Sequence, residues 1–315
     1  MPNLLTVLWT TLCDHGLSLW IRGSERWTEL WKVTTCDLRS RAVATARRTT
    51  VGLVLACHPL PCIAVTAFAA GYAATSGLPT ATVAGVAAAI LSGQLCVGWA
   101  NDWIDADRDT AAARTDKPIP GGLVGRGAVG VACLVAAAAC VWLSLRLGAR
   151  PGIIHLAAVA SALSYDAGLK SGPASPLPYA FSFGALPAVV TTAGPGGPWP
   201  PPGVMAASAL LGVAAHFANT VPDTAADAAT GVRGLPQRAG PRLSLAITGT
   251  LVCLAAVLLL ASAPHVGPAA VVLLGGGAVL AALGVPISAR SDPRRAFPLT
   301  LLAVGLVVAG FLISA

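Results

Sequence analysis

Residues 80–109 read TATVAGVAAAILSGQLCVGWANDWIDADRD, and charged side chains begin only at residue 102. The uncharged part is longer than the roughly 20 residues that a helix needs to cross the hydrocarbon core of a bilayer. The part that follows carries four aspartates and one arginine within eight residues. This passage predicts a transmembrane helix that ends in a cluster of acids at the membrane surface.

The same apolar character extends over most of the chain. Of its 315 residues, 55% are hydrophobic and only 10% are charged, whereas about 25% of residues are charged in an ordinary soluble domain. The mean hydropathy is +0.74. We therefore predict an all-α, polytopic membrane protein with about nine transmembrane helices in a bundle. The nine apolar blocks cover residues 59–77, 80–101, 124–146, 152–168, 176–194, 203–221, 242–262, 266–288 and 297–314.

Charged residues are distributed unevenly between the connections. With the N-terminus in the cytoplasm, 18 of the 20 Lys and Arg residues lie in or next to the inner segments, and only Arg146 and Arg150 lie outside. This positive-inside pattern predicts a C-terminus on the opposite side, and we expect a bacterial plasma membrane. The net charge of +7 then reflects topology and anionic lipid rather than nucleic acid. The inner segments are residues 1–58, 102–123, 169–175, 222–241 and 289–296.

Residues 1–48 differ from the rest of the chain. They are rich in tryptophan and carry seven Lys or Arg residues, which predicts an amphipathic segment on the inner leaflet or a loosely ordered cytoplasmic tail. Residues 49–315 would form the transmembrane domain. The eight cysteines show no paired spacing, so we interpret them as small buried hydrophobic residues rather than disulfides or metal ligands.

The first acidic cluster follows the span quoted above. Asp102, Asp105 and Asp109 have the spacing i, i+3, i+7, so a helix that continues past the membrane surface places them on one face. Asn101 adds an amide oxygen beside them. A second acidic cluster lies about 120 residues later in the chain.

That second cluster consists of Asn219, Asp223 and Asp227, which share one helix face by their spacing of i, i+4, i+8. Like charges on one face repel, most strongly near the bilayer, and a divalent cation would offset the repulsion. Oxygen ligands without His or Cys favour a hard ion such as Mg²⁺, which also binds phosphate oxygens. Two facing clusters would clamp a diphosphate; the alternative is that both are solvated loop acids.

Basic residues lie near both clusters. Arg114 and Lys117 follow the first, Arg233 follows the second, and a third inner loop carries Tyr165 and Lys170. A leaving diphosphate needs cations to stabilise the charge that it gains as its carbon–oxygen bond breaks. The positive-inside rule alone would also place Lys and Arg in these loops.

Taken together, these motifs resemble the signatures of the UbiA superfamily of membrane prenyltransferases. Residues 101–109 fit the pattern N-D-x-x-D-x-x-x-D, and residues 114–122 are similar to the R-T-x-[KR]-P-x-x-x-G stretch that follows it. Residues 219–240 resemble the second signature, and residues 164–170 resemble the tyrosine-to-lysine turn between the two. The resemblance covers about residues 55–315.

The resemblance implies nine transmembrane helices around a central cavity, and two Mg²⁺ ions that bridge the diphosphate of an isoprenoid donor. It implies catalytic roles for Asp102, Asp105, Asp109, Asp223 and Asp227. It implies metal ligation by Asn101, Asp105, Asp109, Asn219, Asp223 and Asp227. It implies diphosphate binding by Asn101, Arg114, Lys117, Tyr165, Lys170 and Arg233.

The chain departs from the family pattern in three ways, one of which is the unmatched N-terminal extension of 48 residues. Thr220 stands where many members have the leading aspartate of the second motif, and His58-Pro59 stands where the first helix often opens with Arg-Pro. His58, His216 and Trp99 are candidate contacts for the acceptor or the cation. An intramembrane histidine also commonly bonds a neighbouring helix, and an interfacial tryptophan is commonly an anchor.

The expected function is Mg²⁺-dependent transfer of an isoprenoid group from a prenyl diphosphate to an acceptor, an aromatic compound or a quinone precursor. The alternative is a UbiA-type terpene cyclase, which ionises the same donor without an acceptor. Phosphoribosyl transfer is a remoter variant, and a non-catalytic binding or transport protein is a third class. A transporter would place ionisable groups near mid-bilayer, whereas here they gather at one face. Expected partners are the donor, a lipophilic or aromatic acceptor, and membrane lipid.

Overall fold

A computed structural model describes residues 43–224, 227, 231–263 and 265–314. The chain divides into two units, Met1–Thr49 and Thr50–Ala315. Of the predicted N-terminal segment 1–48, residues 1–42 lie outside the described residues. The account that follows concerns the second unit, which contains the whole of the predicted helical bundle.

Ten helices and short connections make up the described residues, which contain no strand. A π-helical turn, Leu280–Gly284, lies within the ninth helix. The helices are α1, Val43–Ala56; α2, Pro59–Thr75; α3, Thr80–Ala111; α4, Arg126–Arg146; α5, Ala149–Asp166; α6, Pro176–Thr192; α7, Pro202–Thr220; α8, Leu235–Ser262; α9, Pro268–Ser291; and α10, Ala296–Leu312.

Each of the nine apolar blocks corresponds to one helix, α2 to α10, which confirms the all-α prediction. The main differences are at the C-terminal end of α3 and the N-terminal end of α8. The third helix runs ten residues beyond the end of its predicted block, as far as Ala111, and so carries the first acidic cluster in helical form. The eighth helix begins at Leu235 instead of 242 and is kinked at Gly240, where φ is 78°. Glycine adopts this left-handed backbone without steric cost.

Six of the described helices are long and apolar enough to cross a membrane, or seven if α1 and α2 together form one span with a 59° bend. The last of the six includes the short turn before α10 and covers Pro293–Leu312. The helices outside the six are α1, α2, α5 and α6, of which α2 and α6 have 17 residues each and α5 has 18. The chain is therefore an integral, multi-pass membrane protein. The count of nine spans stays a prediction.

The core of the bundle lies between α2, α3, α6, α7, α8, α9 and α10. Its buried side chains are mostly Ala and Val, whereas large residues such as Leu134 and Val272 are 71% exposed on the outside. Small residues allow close approach of helices in lipid, where van der Waals packing drives association. Gly212 of α7 shows this, because a Cβ there would lie only 2.6 Å from the Phe183 side chain of α6.

The break between α1 and α2 packs against α3 just before the acidic cluster. At Gly98 of α3 there is no room for a side chain, because a Cβ would collide with the carbonyl group of Cys57 in that break. One residue later, the Trp99 indole Nε1 donates a hydrogen bond of 2.9 Å to the carbonyl oxygen of Leu53. These contacts fix the start of the cluster relative to His58.

Replacing Gly98 with alanine should lower the free energy of unfolding by about 1–3 kcal/mol, because backbone has to move to admit the methyl group. Thermal unfolding of the purified protein in detergent measures this. Gly127→Ala is the matched control, since Gly127 is also helical and no other group lies within 4 Å of a Cβ built there. Equal stability of the two variants would contradict this account of the α1–α2 break.

Candidate functional site

The C-terminal end of α3 carries the first acidic cluster on a buried face. The side chains of Asp102, Asp105 and Asp109 are exposed by only 3%, 6% and 6%. Asp107 on the same helix points elsewhere, is exposed, and forms an ion pair with Arg126. The predicted face i, i+3, i+7 is therefore the face that turns into the bundle.

Asp105 lies at the centre of a charged network. Lys170 Nζ donates to Asp105 Oδ1 at 2.5 Å and to Oδ2 at 2.7 Å. Arg108 Nη2 donates to Oδ2 at 2.8 Å, and Asn101 Nδ2 approaches the same oxygen at 3.4 Å. Lys170 is itself buried and belongs to the short turn Leu169–Ser171 after α5. Two cations thus balance one buried carboxylate.

Asp102 is held by two other segments. Lys117 Nζ donates to Asp102 Oδ1 at 2.9 Å, and His58 Nε2 lies 3.2 Å from the same oxygen. His58 occupies the break between α1 and α2 with a left-handed backbone, φ 56°, which is uncommon for a residue with a side chain. The histidine that precedes α2 therefore contacts the first acidic cluster.

Asp109 has a weaker partner. Among the described residues, its closest cation is Arg108, with Nη2 at 3.9 Å from Oδ1. Arg108 already bonds Asp105 at 2.8 Å. The Asp109 carboxylate is therefore largely buried and has no hydrogen-bond partner among the described residues, which leaves its oxygens free to bind a cation.

The second acidic cluster begins at the C-terminal end of α7 and is joined to the first by Arg114. Arg114 Nη1 lies 3.3 Å from Asp223 Oδ1, and its Nε and Nη2 atoms donate to Asp116 at 3.0 and 2.9 Å. The hydrogen bonds from Arg114 hold the pKa of Asp116 below its usual value, so that Asp116 stays ionised and orients the guanidinium. The Arg114 backbone N–H also donates to the carbonyl oxygen of Asp109 at 2.9 Å, so this one residue contacts both acidic clusters.

The other members of the second cluster differ in their surroundings. Gln237 Nε2 donates to Asp227 Oδ2 at 2.8 Å, and burial raises the pKa of Asp227. Asn219 is exposed at the end of α7, although its neighbours Ala218 and Thr220 are buried. Because α7 ends at Thr220 and no described contact joins Asn219 to Asp223 or Asp227, the common helix face of this cluster stays a prediction.

An aromatic cluster lies between α5, α6 and α7. The His216 ring stacks on Tyr179 with centroids 4.7 Å apart, and it meets Tyr165 edge-on at 5.4 Å. Its Nε2 lies 3.1 Å from the hydroxyl of Ser175, which accepts a hydrogen bond from the backbone N–H of Leu235. The Nδ1 atom is buried without a partner among the described residues. Tyr165 and His216 are therefore neighbours, as members of one site would be.

Trp99 and Arg233 form no described hydrogen bond or ion pair with the acids. Trp99 directs its indole N–H to Leu53, as described above. Arg233 is exposed, and its carbonyl oxygen accepts a hydrogen bond of 2.8 Å from Arg238 Nε. Their predicted roles at the site stay predictions.

Four residues of this region were not singled out as site residues by the sequence reasoning. Arg108 could have been found from its spacing, since it follows Asp105 by three residues on one helix. Gln237, Ser175 and Asp166 gave no comparable signal, because their contacts join residues that are 10, 41 and 65 positions apart. Asp166 accepts a hydrogen bond from Asn101 at 2.7 Å.

The donor set has the chemistry of a hard cation site. Within the described residues no three acidic, His or Cys side chains already converge at metal-binding distance, since Lys and Arg side chains occupy several of the carboxylates. The oxygen-only set and the spare capacity of Asp109 nevertheless fit Mg²⁺. The residues that would hold it are Asn101, Asp105, Asp109, Asn219, Asp223 and Asp227.

Comparison with solved structures shows a shared fold. A UbiA homolog from Aeropyrum pernix K1 in its apo form is 21% identical with a TM-score of 0.66, and the match covers 80% of this chain and 97% of that one. A UbiA homolog from Archaeoglobus fulgidus bound to GPP and Mg²⁺ is 14% identical with a TM-score of 0.62, over 84% of this chain and 100% of that one. At these identities the likeness concerns the fold alone.

Comparison at the level of sequence agrees. No curated protein sequence matches the chain. The UbiA prenyltransferase family, however, matches residues 61–313, which include both acidic clusters and all of the helices from α3 to α10. The resemblance inferred from the motifs is thereby confirmed, and the chain belongs to the UbiA prenyltransferase family.

Proposed function

We propose that the chain catalyses Mg²⁺-dependent transfer of an isoprenoid group from a prenyl diphosphate to a lipophilic or aromatic acceptor at the cytoplasmic end of its helices. The observation that carries this proposal is the pairing of three acids, of which Asp102 and Asp105 are buried, with cations from separate segments. Lys170 meets Asp105, Lys117 meets Asp102, and Arg114 meets Asp223.

Such an array suits a diphosphate bound with divalent cations. The carboxylates can take the metal ions, while the freed ammonium and guanidinium groups can take the phosphate oxygens. Stability alone is a poor reason for these pairs, because replacing buried ion pairs with apolar side chains is often neutral or stabilising. The membrane location supports a lipophilic donor.

Related structures support the class of donor. The Archaeoglobus fulgidus homolog has been solved with GPP and Mg²⁺, and also with DMAPP and Mg²⁺. Both ligands are prenyl diphosphates. The same class of substrate in this chain would place its diphosphate among the acids and its apolar tail between the helices.

The charges at the site would act as the donor ionises. As the carbon–oxygen bond breaks, its electron pair goes to the diphosphate oxygen, and Lys170, Lys117 and Arg114 would donate hydrogen bonds to the charge that develops. Mg²⁺, when bound, supplies further neutralisation of that charge. Because Lys170 is buried, its charge is less screened than it would be in water.

The aromatic cluster would stabilise the allylic cation that remains when the diphosphate leaves. The faces of Tyr165, Tyr179 and His216 offer negative potential to an allylic cation. The acceptor's nucleophilic atom would then form the new bond and lose a proton to a base. The same rings also favour the second candidate, a terpene cyclase, in which a carbon–carbon double bond of the donor itself attacks the cation.

Removal of Mg²⁺ tests the proposal. Purified full-length protein in detergent would be given geranyl, farnesyl and geranylgeranyl diphosphates with a panel of aromatic acceptors, and released diphosphate and products would be measured. We expect EDTA to lower turnover by a factor on the order of 10³, and added Mg²⁺ to restore it.

The requirement for an acceptor separates the two candidates. Turnover that needs both Mg²⁺ and an acceptor supports a transferase. A cyclised hydrocarbon formed without acceptor would replace that proposal with a cyclase. A folded protein that releases no diphosphate from any of the three donors, with or without acceptors, would contradict both.

A further inference from the structure

Asp166, the last residue of α5, is buried beside the first acidic cluster. Only 4% of the residue is exposed. Its Oδ1 atom accepts a hydrogen bond of 2.7 Å from Asn101 Nδ2. Its Oδ2 atom is buried and has no hydrogen-bond partner among the described residues.

The contact with Asp166 determines which way the Asn101 amide faces. An ionised carboxylate can only accept hydrogen bonds, so Asp166 selects the NH₂ group of Asn101 over its oxygen. The same Nδ2 lies 3.4 Å from Asp105 Oδ2. With its nitrogen directed to two carboxylates, Asn101 keeps its Oδ1 atom free for another partner.

Without Asp166 the side-chain amide of Asn101 could flip, so that its oxygen and nitrogen exchange positions. The oxygen and the nitrogen of an amide are nearly equal in size, so the hydrogen-bond network alone decides their positions. An Asn101 that presented its NH₂ group to a cation would be useless as a ligand, because NH₂ has no lone pair to offer. The orientation of this one amide therefore affects any metal site built around it.

Stability gives no reason for an acid at position 166. Among the described residues no Lys, Arg or His side chain forms an ion pair with Asp166, although several do so with its neighbours. The C-terminal end of a helix carries partial negative charge, which disfavours a carboxylate there. A buried acid that satisfies only one of its oxygens costs stability.

We propose that Asp166 is a positioning residue that acts through Asn101, holding the amide so that its oxygen is presented to a divalent cation at the first acidic cluster. The proposal rests on the metal-dependent function proposed above. Carboxylates that orient a metal ligand through a hydrogen bond typically raise metal affinity about 10–100-fold.

The test measures metal binding directly. Mn²⁺ would replace Mg²⁺, and free Mn²⁺ would be followed by electron paramagnetic resonance in the presence of geranyl S-thiolodiphosphate, a donor analogue that resists ionisation. We expect Asp166→Ala to weaken Mn²⁺ binding about 10–100-fold. Asp166→Asn should retain most of the affinity, since its amide oxygen can still accept from Asn101.

Three controls make the result specific. Asp107→Ala removes an exposed acid of α3 and should bind Mn²⁺ as the unmodified protein does. Asp166→Leu leaves no cavity at the buried position, so it replaces the alanine variant if that protein does not fold. In an Asn101→Ala background, removing Asp166 should cause no further loss of affinity.

Several results would overturn the inference. Asp166→Asn binding as weakly as Asp166→Ala would mean that the charge is needed rather than the hydrogen bond. Unchanged affinity in Asp166→Ala, or additive losses with Asn101→Ala, would exclude action through Asn101. If the unmodified protein bound no Mn²⁺ with the analogue, the proposed function would fail, and this inference with it.

Discussion

Replacement of Asp105 with alanine is expected to lower kcat/KM for the prenyl diphosphate by a factor on the order of 10³. Asp105 is the acid with the most partners in the site, since Lys170, Arg108 and Asn101 all approach its oxygens. Its removal would delete a proposed metal ligand and leave two cations without their anion. Both changes would slow the ionisation of the prenyl diphosphate.

The measurement is diphosphate release at saturating Mg²⁺, with parallel thermal unfolding. Asp105→Asn is needed beside the alanine variant because it keeps the volume of the buried side chain, and we expect nearly the same loss from it. Asp107→Ala, on the exposed face of α3, should retain activity. Full activity in Asp105→Asn would show that the charge at this position takes no part in the reaction.

Replacement of Lys170 with methionine is expected to lower kcat/KM by a factor on the order of 10². Methionine keeps most of the length of the side chain but has no charge and no N–H. Lys170 is the most buried cation that we assign to the diphosphate. Arg108 would still pair with Asp105 at 2.8 Å, so we expect the substitution to lower the activity more than the stability of the protein.

Separate values of kcat and KM reveal what Lys170 does. A role in the transition state would lower kcat, whereas a contact made equally well in the bound substrate would raise KM alone. Arg126→Met is the matched control, because Arg126 is a cation at the same end of the bundle that pairs with the exposed Asp107. Equal losses in the two variants would indicate a general effect of charge rather than a diphosphate contact.

The fold could be predicted from the sequence because each helix corresponds to its own run of apolar residues. Blocks of about 20 apolar residues can only be helices in a bilayer, and all nine became helices. Their ends were less predictable. Nothing in the composition of residues 102–111 shows that α3 continues to Ala111, except the spacing of the acids, which made sense only on a helix.

The acids of the site could be predicted from the sequence, but the ion pairs that they form could not. Spacing alone placed Asp102, Asp105 and Asp109 on one face, and that face is buried. The contact between Lys170 and Asp105 joins residues 65 positions apart. It depends on how the turn after α5 packs against α3, and no periodicity in either segment carries that information.

The position of the charged network at one end of an apolar bundle has a consequence for the direction of the reaction. A protein built this way would catalyse its reaction at the boundary between lipid and water. One product would dissolve in the lipid, and the other, a diphosphate, would dissolve in the water. The two products would part immediately and in opposite directions. Recombination would then require a meeting across the interface, so separation of phases would itself make the reaction run forward.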